Sequence, residues 1–316
     1  MPDNNKLNVR NIYIDLLNKM KELDAVDQAY IDHLIALVRA DMGLLDNDIA
    51  AIEALIPDNA TASNKLSTIT DIPIIEGSGY HNSIYRGKNL GSVITPVQWS
   101  AIQNGTFEDL YIGDYWEINS VRWQIAHFDY WLNTGDQNCT SHHVVIVPYN
   151  SLYTTKMNNS MVTTGGYYNS KMRGGSSYLD IDNSNLYDAK TMIDNAFGSS
   201  HILSHREYIT NAVTDGNATG SSWYDSTIDL MSEVMICGTF VWSGGGKGYE
   251  VGTGKEQLAL FRLDHSCIGI RESWWLRSVY SDTSFVGITV NGNVGSDLSN
   301  KTHGVRPCFA IYNPTT

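Results

Sequence analysis

Apolar residues at Ile31, Leu34, Val38, Met42, Leu45, Ile49, Ile52 and Ile56 recur in steps of three and four, with an extra four-residue step between Val38 and Met42. Such spacing lays a stripe along one helix face, and the extra step is a stutter in a heptad seam. Tyr13, Leu16, Met20, Leu23 and Tyr30 extend a looser version upstream. Isoleucine at both seam positions favours three or more strands over two, so the pattern predicts a parallel bundle over residues 9–56, a homotrimer by preference. Unbroken, it would reach on the order of 70 Å at 1.5 Å per residue. A hairpin folding on itself is the alternative, with Gly43 as the weak point of the helix; Pro57 ends it.

After residue 57 the helical period stops. Residues 58–79 are polar and turn-prone, reading as a linker or collar with a flexible Glu76-Gly-Ser-Gly79 boundary. Residues 80–316 read as one α+β domain. Thr95-Pro96 carries both a helix N-cap and a first-turn proline, which predicts a short helix over Thr95–Ile102. Tyr111–Ile118, Val121–Ala126 and His143–Val147 have strand character, the first two joined by a tight Asn119-Ser120 turn. Helices are expected over Ala189–Phe197 and Thr227–Met235.

The last fifty residues have a distinct plan. Glu272-Ser-Trp-Trp-Leu-Arg-Ser278 and Gly304-Val-Arg-Pro307 bracket a run of small polar and apolar residues. Trp274, Trp275 and Leu276 are bulky enough to fix a strand in a core, and Val305, Pro307, Phe309 and Ile311 alternate with the period of a closing strand. Between them, Thr289–Val294 reads as a hairpin turning at Asn291-Gly292. Arg277 and Arg306, flanked by Trp275 and Pro307, are expected to brace the scaffold by stacking and hydrogen bonding.

Composition narrows the chemistry. Aromatic residues make up 10% of the chain, with eight Trp and eighteen Tyr, against only 17% charged residues. That vocabulary gives contact area at low entropic cost. A net charge of −13 without a basic stripe argues against nucleic acid or an anionic membrane as partner. No apolar run approaches the roughly 20 residues needed to span a bilayer. Residues Met1–Asn5 show neither a charged-then-apolar leader nor a lipobox, so if the protein acts outside its producing cell, release by lysis, as for a virion component, is the expectation. Cys139, Cys237, Cys267 and Cys308 form no CxxC pair, so zinc is not expected; free buried thiols are the leading expectation and two disulfides in an exported protein the alternative.

Other clusters yield less. His142 and His143 would point to opposite faces of a strand, so with Asp136 and Cys139 they make no metal site. Asp225, Asp229 and Glu233 fall on one helical face and read as solvated. Asp180-Ile-Asp-Asn-Ser-Asn185 lacks the closing carboxylate of a calcium loop. With no GxSxG, Walker loop or GxGxxG, neither metal nor cofactor is expected, nor catalysis.

The WWLRS…GVRP bracket resembles the C-terminal part of a bacterial and phage family with a C-type-lectin-like fold, related to formylglycine-generating enzymes. The same general fold carries the variable proteins of diversity-generating retroelements. Gly87–Gly91, Asp109–Trp116 and His205-Arg-Glu207 resemble that family too, extending the likeness over residues 85–312. Ala62-Ser-Asn-Lys-Leu66 resembles segments that follow coiled-coil shafts in phage fibres. The resemblance implies a virion-exposed adhesin, a tail-tip or fibre receptor-binding protein whose specificity lies between the brackets. Its partners would be a host-surface protein or glycan, and other virion proteins through the N-terminal segment. The expected ligand face is Tyr280, Asp282, Thr283, Phe285, Ile288, Asn291, Asn293 and Asp297, held by Trp274, Trp275, Arg277, Arg306 and Pro307. A structural head-fibre or capsid decoration protein is the rival reading. A formylglycine-generating-like enzyme is more remote, since the cysteines lack the expected activating neighbours. The sugar-binding loops of calcium-dependent lectins are missing.

Overall fold

Thr95 starts its helix as its side chain requires. The Thr95 hydroxyl accepts from the Gln98 amide at 3.2 Å while Gln98 Oε1 accepts from the Thr95 amide at 2.9 Å, a reciprocal box that satisfies two otherwise orphaned donors. In the computed structural model, which describes residues 77–174, 185–243 and 256–314, this helix runs Pro96–Asn104. The described residues all belong to one compact unit, residues 75–316. The bundle expected over residues 9–56, the linker up to Glu76, and Asp180 and Asp182 lie outside the described residues.

The fold is mixed α+β with several sheets. The helices are α1 (Ser78–His81), α2 (Pro96–Asn104), α3 (Leu186–Phe197), α4 (Glu233–Cys237) and α5 (Ala259–Leu263). One sheet contains β1 (Tyr115–Ile118), β2 (Val121–Phe128), β3 (Val144–Pro148), β12 (Pro307–Ile311) and β7 (Ile228–Leu230), in that spatial order and antiparallel throughout. Asn119 and Ser120, both with positive φ, turn β1 into β2 in the way a two-residue hairpin demands. A second sheet orders β10 (Val294–Leu298), β9 (Ser284–Ile288), β8 (Trp274–Val279), β11 (Thr302–Val305) and β4 (Tyr153–Lys156). Here β11 and β8 pair in parallel through Gly304 and Trp274. A long hairpin, β5 (His205–Thr214) and β6 (Asn217–Ser226), turns at Asp215-Gly216.

The GVRP motif marks the crossing between the sheets. β11 ends at Val305 in one sheet and β12 begins at Pro307 in the other, leaving Arg306 between them, fully buried. Its Nε donates to the Pro148 carbonyl and its Nη1 to the Cys267 carbonyl, both at 2.8 Å, and the guanidinium stacks over Trp274 and Phe261. Burial lowers its pKa to about 10, so it still carries its charge at neutral pH. Gly304 is required by sterics: an added Cβ would stand 2.0 Å from Ser151 Oγ. Trp275 donates to the Thr155 carbonyl at 3.0 Å, stitching β8 to β4 across β11.

The other bracket arginine sits in a buried polar network. Arg277 Nη2 donates to Glu207 Oε2 at 3.0 Å, and Trp131 Nε1 donates to Glu207 Oε1 at 2.9 Å. All three residues are sealed from solvent.

One expected helix is corrected. Residues 227–235 form β7 followed by α4, because Ile228, Asp229 and Leu230 add a strand to the edge of β12 and Ser232 then caps a new helix. The solvated acidic face therefore does not exist. Asp225 alone is exposed, in an ion pair with Arg206. Asp229 is buried against Arg173 at 2.8 Å, and Glu233 is buried at the start of α4.

Candidate ligand-binding cleft

The residues expected to form one ligand face are distributed among four places. Phe285 and Ile288, at 0% and 1% exposure, are core residues, which corrects their assignment to a binding surface. The physical reason is packing: β9 is an interior strand between β8 and β10, and its side chains reach the central hydrophobic cluster. Asp297 on β10 stands opposite Phe285, and its Oδ2 accepts from His303 Nε2 at 2.9 Å. Asn291 and Asn293 are exposed in the β9–β10 turn, whereas Tyr280, Asp282 and Thr283 occupy the β8–β9 turn. These two groups stand at opposite ends of β9, about 17 Å of strand at ~3.4 Å per residue. They cannot form one small-ligand site.

The β8–β9 turn has the better-built surroundings. With the β5–β6 tip it encloses an open cleft of about 430 Å³, lined by Asp215, Gly216, Asn217, Tyr280, Ser281 and Asp282. Gly216, at φ +72°, lets the tip approach until an added Cβ would lie 3.4 Å from the Asp282 amide. Hydrogen bonds from a neighbouring loop hold the turn from below. Thr163 donates its amide to the Asp282 carbonyl at 3.0 Å and its hydroxyl to the Ser281 carbonyl at 2.6 Å. The Ser299 amide donates to the Thr283 carbonyl at 2.8 Å.

Trp242 packs on Tyr280 from outside the lining. Its indole meets the Tyr280 ring edge to face, centroids 5.2 Å apart, and it is 41% exposed. The loop carrying it hangs on the buried Glu233 carboxylate. Oε1 accepts from the amides of Val241 and Trp242 at 3.2 and 2.7 Å, and Oε2 from the Ser243 amide at 3.0 Å and its hydroxyl. The Glu233 amide in turn donates to Ser278 Oγ on β8, the strand that leads into Tyr280. A carboxylate that reads as solvated from its spacing thus sets the position of an exposed tryptophan. Burial of a charge is tolerable there because four donors surround it.

The cleft lining contains two carboxylates, from Asp215 and Asp282, and no basic side chain. It suits a ligand that presents hydrogen-bond donors beside an aromatic contact. The Asp215-Gly216-Asn217 tip is visible in sequence as a turn signal, yet nothing local places it beside residue 282.

The remaining clusters are structural. The His143 amide donates to Asp129 Oδ1 at 3.0 Å, and His142 Nδ1 lies 2.8 Å from Asp129 Oδ2. His143 Nε2 accepts from the Trp131 amide at 3.1 Å, and burial lowers its pKa to about 4. Asp136 pairs with Arg206. All four cysteines are unpaired. Burial raises every thiol, Cys237 to about 11 and Cys267 to about 12, so they are protonated at neutral pH. Among the described residues, no group of three or more His, Cys, Asp or Glu could hold a metal ion, and no helix is long and apolar enough to cross a membrane.

Fold and cleft together define an α+β domain with an acidic recess that includes Tyr280, between two hydrogen-bonded turns. Residues 108–313 match the model of a domain of unknown function, DUF6273, and the chain belongs to that family. No curated protein and no solved structure matches it.

Proposed function

We propose that the chain is a virion adhesin, a tail-tip or fibre protein whose C-terminal domain binds a host-surface protein or glycan without chemistry. The observation that carries this reading is the cleft between Asp215–Asn217 and Tyr280–Asp282, flanked by the exposed Trp242. An exposed tryptophan on an anchored loop, beside a tyrosine and two carboxylates, is the kind of anchor that dominates interfaces. The bracket resemblance supports a C-type-lectin-like assignment for the fold. Protonated thiols support a binding role over formylglycine-generating-like catalysis, which needs reactive cysteines. The N-terminal segment would oligomerise the chain, preferably as a trimer, and attach it to other virion proteins, turning a weak site into avidity.

The test is binding of labelled full-length chain to host cells. Trp242→Ala and Asp282→Ala should each weaken it by about 2 kcal/mol, roughly 30-fold, with unchanged melting midpoints. Undiminished binding by both variants would remove the cleft from the reading. Virions that adsorb normally without the chain would favour the head-fibre or decoration role.

A further inference from the structure

A second recess, of about 250 Å³, opens on the β1–β2 side of the domain and includes Tyr85, Tyr115, Arg122, Gln124, Tyr149 and Asp264 in its lining. It lies outside the expected ligand face, and its construction is specific. The Arg122 guanidinium stands 4.0 Å from the Tyr115 ring centroid and 5.0 Å from that of Tyr149, so two aromatic faces hold it in place. Tyr85 crowds Gly113, where an added Cβ would come within 2.3 Å of the ring. Asp264 caps the turn His265–Cys267, accepting from the Ser266 amide and hydroxyl at 3.0 and 2.6 Å and from Cys267 Sγ at 3.3 Å. Tyr85 shares the lining of the recess with this carboxylate.

At the base, Gln124 is only 3% exposed, in the same lining as Cys267. Its Oε1 has no hydrogen-bond partner among the described residues. A buried carbonyl left so costs roughly 1–3 kcal/mol, a cost that a donor entering the recess would relieve. That acceptor lies in the same recess as the Arg122 donors, the half-used Ser266 hydroxyl and the tyrosine faces.

We infer that this recess binds one neutral polyhydroxylated ring, a monosaccharide unit, with a ring hydroxyl donating to Gln124 Oε1 and another accepting from Arg122. Charge selects among ligands. A phosphate or carboxylate would place its oxygens against the Gln124 carbonyl and the Asp264 carboxylate, and an ammonium would face Arg122, with Arg306 behind Cys267. The Arg122 and Asp264 charges offset one another, which leaves an uncharged ligand that both donates and accepts. Hydroxyls do both, and the C–H face of a sugar ring packs on tyrosine. The volume, below the roughly 300 Å³ at which drug-sized pockets begin, suits a single ring.

Ligand-observed NMR on the full chain, titrated with methyl glycosides of glucose, galactose, mannose and N-acetylglucosamine, tests this. Glycine, choline and inorganic phosphate serve as charged probes. At least one glycoside should bind saturably in the millimolar range, and Gln124→Leu and Tyr149→Ala should each weaken it by about tenfold. Tyr149 is 38% exposed, so its variant keeps the test open should Gln124→Leu fail to fold. Trp242→Ala and Asp282→Ala should leave glycoside binding intact, which separates this site from the adhesin cleft. Binding of no glycoside, tighter binding of a charged probe, or full binding by Tyr149→Ala would each overturn the inference.

Discussion

Residues 274–279 and 280–283 are consecutive in the chain and opposite in character. The first six form β8, every one of them buried, with Arg277 paired inside the core to Glu207. The next four form a turn over an open cleft, fastened mainly through backbone carbonyls by Thr163 and Ser299. Within β8 the side chains are structure; in the turn the backbone carries much of the fastening and the Asp282 side chain is exposed. One segment should therefore tolerate almost no substitution, and the other should tolerate substitution while changing what it binds.

The comparison can be broken most directly at Phe285, which follows the turn and belongs to the core. Phe285→Ala should cost about 3–5 kcal/mol through the cavity it leaves, read from the denaturant midpoint. A near-zero loss would return this residue to the surface. Arg277→Met should cost a similar ~3–5 kcal/mol by leaving the Glu207 charge buried without its cation. Adding Glu207→Gln should recover part of that loss, since the orphaned charge is then removed.

Acid sharpens the same contrast. His127 and His143 have folded pKa values lowered by burial to about 3 and about 4, and His127 Nδ1 accepts from the Ala259 amide, which requires a neutral ring nitrogen. The unfolded state binds these protons first, so stability is full above about pH 6.5. Each histidine then removes roughly 1.4 kcal/mol per pH unit as the pH falls from there towards its folded value. Unfolding midpoints measured from pH 7 to 4 should fall steadily; a flat profile would show that these rings are accessible.

Glu233→Gln should have a smaller effect, about 1–3 kcal/mol, because the amide keeps one acceptor oxygen for the 241–243 loop. Its signature is local: Trp242 fluorescence should become more quenchable by acrylamide. Smallest in stability are Tyr280→Ala and Asp282→Ala, within about 1 kcal/mol of the parent protein, with ligand binding as the property that changes. A large destabilisation by either would make the turn part of the scaffold.

Sequence alone determined the elements whose signals are local. Thr95-Pro96 and Gln98 specify a capped helix; Asn119-Ser120 and Asn291-Gly292 mark turns; Trp274, Trp275 and the alternating residues after Gly304 mark core strands. Each of these rests on interactions within a few residues, so the pattern carries them. Residues 227–235 went otherwise, because a strand added at the edge of β12 outweighs helical spacing. The candidate site shows the same limit. Asp282 is legible as a polar turn residue, but its pairing with a tip near residue 216, and the role of Glu233 in holding Trp242, depend on contacts across tens of residues. Alternation near Phe285 cannot tell an interior strand from an edge one, since both faces of β9 are decided by which strands lie beside it. Tertiary structure alone decided those neighbours, and with them which residues meet solvent, for burial is a property of the packed sheet rather than of the strand.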